Sequence, residues 1–165
     1  MKRALFCLLL ACGGDKDKDF SGKPLEPKDV TLDGVTFTIS VPKGLPTDSD
    51  EKPGTWNVTK FEGDYVPKIF TDISSMTHAT IDDFVKWEIH NKEKMNLVRK
   101  ETRPDGYAIT DAPAGKKRIE VTTFKRIAGE KAINCTAVQI NEDELPSYDK
   151  TRAMLEKICD SIVVK

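Results

Sequence analysis

The sequence predicts an α+β fold, a mostly antiparallel sheet with helices packed on its faces. Three observations carry that expectation. Asp33-Gly34 lies between the alternating runs 30–32 and 35–41, the strongest short-range signal of a β-hairpin. Residues 117–126 and 131–140 are long alternating segments joined by Ala128-Gly129-Glu130, a second antiparallel pair. Two segments of helical spacing interrupt groups of strands instead of alternating with single strands, which places the helices on the faces of an antiparallel sheet.

The elements follow in order. Val35, Phe37, Ile39 and Val41 share one face of the opening hairpin, and Thr36, Thr38 and Ser40 the other. The polar, broken stretch 42–53 reads as a loop, and residues 56–61 and 68–74 as two strands joined across Glu62-Gly63-Asp64. Thr80 opens the first helix, with Asp83 three residues on in a capping-box arrangement and Asp82 and Asp83 favoured by the helix dipole. Ile81, Phe84, Val85 and Ile89 make its apolar stripe. Residues 97–102 and 107–110 flank the turn Pro104-Asp105-Gly106, and Pro113 to Gly115 is a further turn. In the first long strand Ile119, Val121 and Thr123 alternate with Arg118, Glu120 and Thr122; in the second, Cys135 shares its face with Ile133 and Ala137. Tyr148, Thr151, Leu155 and Ile158 define the second helix, with Cys159 at its end, and residues 161–164 close the chain as a short strand.

The first residues carry a different signal. Met1-Lys2-Arg3 precedes the apolar run 4–10, and Leu9-Leu10-Ala11-Cys12 resembles the lipobox of bacterial lipoprotein precursors. The resemblance implies removal of residues 1–11 as a signal peptide, lipidation of Cys12 with a diacylglyceryl thioether and an acylated amine, and a stable membrane anchor with no spanning helix. Residues 12–29 then read as lipidated cysteine plus flexible tether, able to reach roughly 20–25 Å from the surface, and residues 30–165 as the domain. Gly13 rather than an aspartate after Cys12 implies the periplasmic face of the outer membrane. In an exported chain that has lost Cys7 and committed Cys12, Cys135 and Cys159 are most simply a disulfide, which would stabilise the fold by about 3 kcal/mol. The alternative is two buried free thiols.

The hydrophobic strand ending Ser40-Val41-Pro42-Lys43-Gly44-Leu45, the helix Thr80-Ile81-Asp82-Asp83-Phe84-Val85, the long hairpin and a closing helix ending Ile158-Cys159-Asp160-Ser161-Ile162 together resemble the PsbP-like fold. That group includes the extrinsic photosystem II protein, a small eukaryotic Ran-binding relative and bacterial DcrB-type lipoproteins. The resemblance implies a non-catalytic binding or assembly module. It also implies the Cys135–Cys159 pairing, since a cysteine in the last long strand accompanies one in the closing helix of comparable chains.

The chain has 165 residues and a formal net charge of −1, and losing Lys2 and Arg3 with the leader would make it more acidic, the opposite of a nucleic-acid binder. His78 and His90 are the only histidines and are not spaced as a zinc pair; both read as surface or capping residues. No nucleophile elbow, P-loop, His-Glu-x-x-His or Cys-x-x-Cys occurs. No catalytic, cofactor or metal residue is therefore assigned. Glu88 falls inside the apolar stripe of the first helix and reads as the partner of a sheet lysine or arginine. Lys116-Lys117-Arg118 and Lys125-Arg126 read as a charged outer strand face. The expectation is an envelope lipoprotein that binds an envelope protein while held to the membrane through Cys12. The alternatives are a small-ligand carrier with an apolar cavity between sheet and helix, and an enzyme with a carboxylate site at Glu88.

Overall fold

Alternating side chains build two sheets in the computed structural model, which describes residues 20–45, 47, 52–56, 67–75, 78, 80–91, 95–141, 145 and 147–165; the side chains of residues 88–91 lie outside that description. The smaller sheet is β1 (Leu25–Leu32), β2 (Val35–Pro42) and β9 (Val163–Val164), in the order β1-β2-β9. The larger has six strands: β3 (Thr55–Trp56), β4 (Lys68–Ser75), β5 (Leu97–Arg103), β6 (Gly106–Asp111), β7 (Arg118–Ile127) and β8 (Lys131–Ile140), in the order β3-β4-β8-β7-β6-β5. Every pairing in both sheets is antiparallel. The helices are α1 (Ile81–Asn91) and α2 (Tyr148–Asp160).

The inner face of the six-stranded sheet is closed by α2 and the small sheet. Phe37, Ile39 and Val41 of β2 meet Ile69, Ile119, Val121, Ile133 and Ala137 of the large sheet, together with Met154, Leu155 and Ile158 of α2. Burying such side chains contributes about 1.5–3 kcal/mol each. Cys135 and Cys159, both fully buried, are joined by a disulfide with Cα atoms 5.5 Å apart, tying the last turn of α2 to β8. Ser161 continues the attachment: its hydroxyl donates to Ile158 O at 2.6 Å and accepts from the Ser40 N–H at 2.7 Å.

The outer face carries α1. Ile81, Phe84 and Val85 pack on Tyr107 and Ile109 of β6, Phe124 of β7 and Ala132 of β8. Thr80 caps the helix, accepting from the Asp83 N–H at 3.1 Å while its hydroxyl donates to the Asp83 carboxylate at 2.8 Å. The capping-box expectation therefore holds in its first half, with the carboxylate turned to the cap hydroxyl.

The domain begins earlier than Val30. β1 starts at Leu25 and Phe20 is buried in the core, so residues 20–29 of the expected tether belong to the fold. Pro24, Pro27 and their charged neighbours hide a strand that tolerates proline because it is the edge of its sheet, bonded on one side only. Residues 1–19, with the lipobox and Cys12, and residues 57–66, with most of the expected strand 56–61, lie outside the described residues. No helix among the described residues is long and apolar enough to cross a membrane.

Candidate functional site

The register of the large sheet lays its outer-face side chains in rows. One row runs Asp72, Asn134, Phe124, Tyr107 across β4, β8, β7 and β6. The next runs Phe70, Thr136, Thr122, Ile109, and a third places Glu120 beside Val138 and Lys68. α1 covers the β6 end of these rows and leaves the β4–β8 end open. The result is a cleft of about 460 Å³ with a sheet floor, walled on one side by His78, Phe84 and Trp87.

The wall is aromatic. The His78 ring lies 5.1 Å from Trp87 and 5.9 Å from Phe84, and Phe84 continues to Tyr107 at 6.1 Å. Tyr107 in turn stacks on Phe124, with centroids 5.2 Å apart and planes 2° from parallel. Trp87 is 50% exposed and Phe70, on the opposite margin, 37% exposed. Large side chains left open to water on both margins of one concavity are a feature of binding surfaces, whereas scattered single exposures are ordinary.

The floor is polar. Asn134 donates to the Ser74 hydroxyl at 2.8 Å, and Thr122 and Thr136 add hydroxyls. Two carboxylates line the cleft. Glu120 is paired with Arg118. Asp72 is exposed, and its carboxylate makes no hydrogen bond or ion pair among the described residues. Tyr107 is only 2% exposed, yet its hydroxyl is a buried polar atom with no hydrogen-bond partner among the described residues. Burial first, and the nearby charge of Asp83 second, push that hydroxyl up to about 12, so it stays protonated at any physiological pH.

His78 is therefore neither a cap nor a plain surface residue; it is half-buried in the aromatic wall, where edge and tilted ring contacts hold it. The side chains of Glu88 and His90 lie outside the described residues. The basic clusters divide by strand parity. Arg118 serves Glu120 on the outer face, while Lys125 points to the other side, donating to Ile162 O at 2.9 Å with Asp105 at 3.4 Å. Among the described residues no group of three or more His, Cys, Asp or Glu side chains comes together as a metal site would require.

This arrangement defines an α+β sandwich domain with one helix-walled, partly open sheet face. No protein-family model matches the chain, and no curated protein does. Among solved structures, the chain is similar to the Ran-binding protein Mog1p of Saccharomyces cerevisiae, with a TM-score of 0.56 at 12% identity over 86% of this chain and 96% of that one. A mutant form of Mog1 aligns equally well, with a TM-score of 0.56 at 13% identity over 84% of this chain and 96% of that one. At such identity the likeness is one of fold.

Proposed function

We propose that this chain is a bacterial envelope lipoprotein with a PsbP-like domain of the DcrB type, acting as a non-catalytic binding module. Its binding face is the open outer face of the six-stranded sheet. The observation that carries this reading is the pairing of exposed Trp87 and Phe70 across one concavity. The fold likeness to a protein described as Ran-binding agrees with protein recognition on such a scaffold. Anchoring through Cys12, on the periplasmic face of the outer membrane, raises the effective concentration of a weak binder near its envelope partner.

The test has two parts. The intact mass of protein extracted from its native membrane is expected to fit cleavage before Cys12 plus acyl chains; an unlipidated mass beginning at Met1 would remove the anchor from the reading. A photo-crosslinker at position 87 is expected to capture one envelope protein, and the same group at position 152, on the opposite face, is not. Equal capture from both positions, or none from either, would sink the binding-face assignment. A second reading, a small-ligand carrier, draws on the cleft itself, which lies between sheet and α1 but is open and mixed in polarity instead of being an enclosed apolar cavity.

A further inference from the structure

Two groups in the cleft are left wanting. Tyr107 keeps a protonated hydroxyl that has no hydrogen-bond partner among the described residues, although the side chain is almost wholly buried. A buried hydroxyl without a partner costs about 1–3 kcal/mol of lost hydration, so such a group marks a place where something else completes the bond. Asp72 stands at the other end of the same row, an unpaired carboxylate two strands from Phe124. Among the described residues the lining contains no lysine or arginine, and Glu120 is balanced by Arg118, so the carboxylate of Asp72 sets its sign. Between the two ends lie Phe124 and the ring wall of Phe84, His78 and Trp87. Aromatic faces attract cations and pack well on flat apolar bodies.

We propose that the cleft binds a small organic amine: an ammonium set at Asp72, an apolar or aromatic body against the ring wall, and a hydrogen-bond acceptor that meets the Tyr107 hydroxyl, closed to water here, when the ring wall shifts to admit the ligand. This deepens the carrier reading by naming its ligand class, and it does not depend on the protein partner. An anionic ligand of the same shape meets the carboxylate of Asp72, and a neutral one leaves it unpaired. The discrimination is therefore electrostatic at one end and a matter of hydrogen bonding at the other.

The experiment uses three probes of one shape, tyramine, 2-(4-hydroxyphenyl)ethanol and 3-(4-hydroxyphenyl)propionate, titrated into the folded protein and followed by the NMR signals of His78, Trp87 and Tyr107. Tyramine is expected to shift these signals saturably, the alcohol to bind about tenfold more weakly, and the propionate not to bind. Asp72→Asn is expected to abolish the preference for the amine over the alcohol. Tyr107→Phe, which removes one oxygen and keeps the stack on Phe124, is expected to weaken all binding without unfolding the domain. Equal binding of the three probes, shifts confined to other surfaces, or no saturation with tyramine would overturn the proposal. Capture of an envelope protein at position 87 in that last case would leave the binding-module reading standing, so the two failures are distinct.

Discussion

Arg99 of β5 reaches the carboxylate of Asp160, the last residue of α2, at 2.8 Å. Arg103, four residues along the same strand, reaches it at 2.9 Å. A carboxylate at a helix C-terminus faces the negative end of the helix dipole, so Asp160 is unfavourable there without its two guanidinium partners. With them, α2 is strapped to the outermost strand of the large sheet.

Arg99→Gln is expected to lower stability by about 1 kcal/mol, because it leaves a partly buried carboxylate short of one partner. In an Asp160→Asn background the same substitution is expected to cost less, since the ion pair and the dipole conflict are already gone. Urea unfolding of the four proteins of this cycle measures the coupling. Strict additivity would show that the pair contributes nothing specific.

Glu101 lies between the same two arginines, and their hydrogen bonds, Arg103 first and Arg99 next, lower its carboxyl from 4.5 to about 2. A carboxyl with a lower pKa in the folded state is protonated first in the unfolded chain. Its stabilising contribution is complete above pH 4.5 and is lost as the pH falls from there towards 2. Thermal unfolding as a function of pH is expected to show a shallower acid slope for Glu101→Gln than for the parent. The exposure of this carboxylate to solvent keeps the difference modest.

Loss of the disulfide is a larger effect. Replacing Cys135 and Cys159 together by alanine is expected to lower stability by about 3 kcal/mol, chiefly by freeing the unfolded chain. Denaturant unfolding with and without reductant checks this: the parent should fall to near the variant when reduced, and the variant should not respond.

Gly106 opens β6 with φ at 152°, and a Cβ there would stand 1.7 Å from the carbonyl oxygen of Phe124. The obstacle is backbone of the neighbouring strand and cannot rotate away. Gly106→Ala is expected to destabilise the domain by roughly 2 kcal/mol or more and to disturb the adjacent Tyr107–Phe124 stack. Near-ultraviolet circular dichroism reports the stack, and an unchanged spectrum at unchanged stability would contradict this account.

The strands and helices were legible wherever period and punctuation agreed. Asp33-Gly34, Asp105-Gly106 and Gly129-Glu130 all fall at hairpin turns, and α2 runs from Tyr148 to Asp160 as its stripe implies. Residues 30–32 of β1 were legible from the hairpin turn, but its first part was not, because Pro24, Pro27 and alternating charge resemble a tether and only a tertiary partner makes them a strand. The cleft was less legible still. Phe70, Asp72, Thr122 and Thr136 are ordinary polar-face residues along their own strands, and only the register brings them into one surface. His78 gave one faint signal, as a ring preceding a helix that carries Phe84 and Trp87 three positions apart. The unpartnered Tyr107 hydroxyl gave none, since absence of a partner is a property of the packed state.

The attachment of β9 to β2 governs the order of assembly. Phe37 pairs with Val164, and the Ser40–Ser161 hydrogen bond spans 121 residues of chain. Neither the small sheet nor the lid that α2 forms over Ile119, Val121 and Ile133 can be completed from local contacts. Domains dominated by such distant pairings fold on the order of milliseconds to seconds. Until α2 docks, the buried face of the large sheet stands open to other chains, and Cys135 stands open to the wrong thiol. The disulfide joins Cys159 to Cys135 only once α2 lies against β8, so its correct closure records that the distant pairings of the chain have already been made.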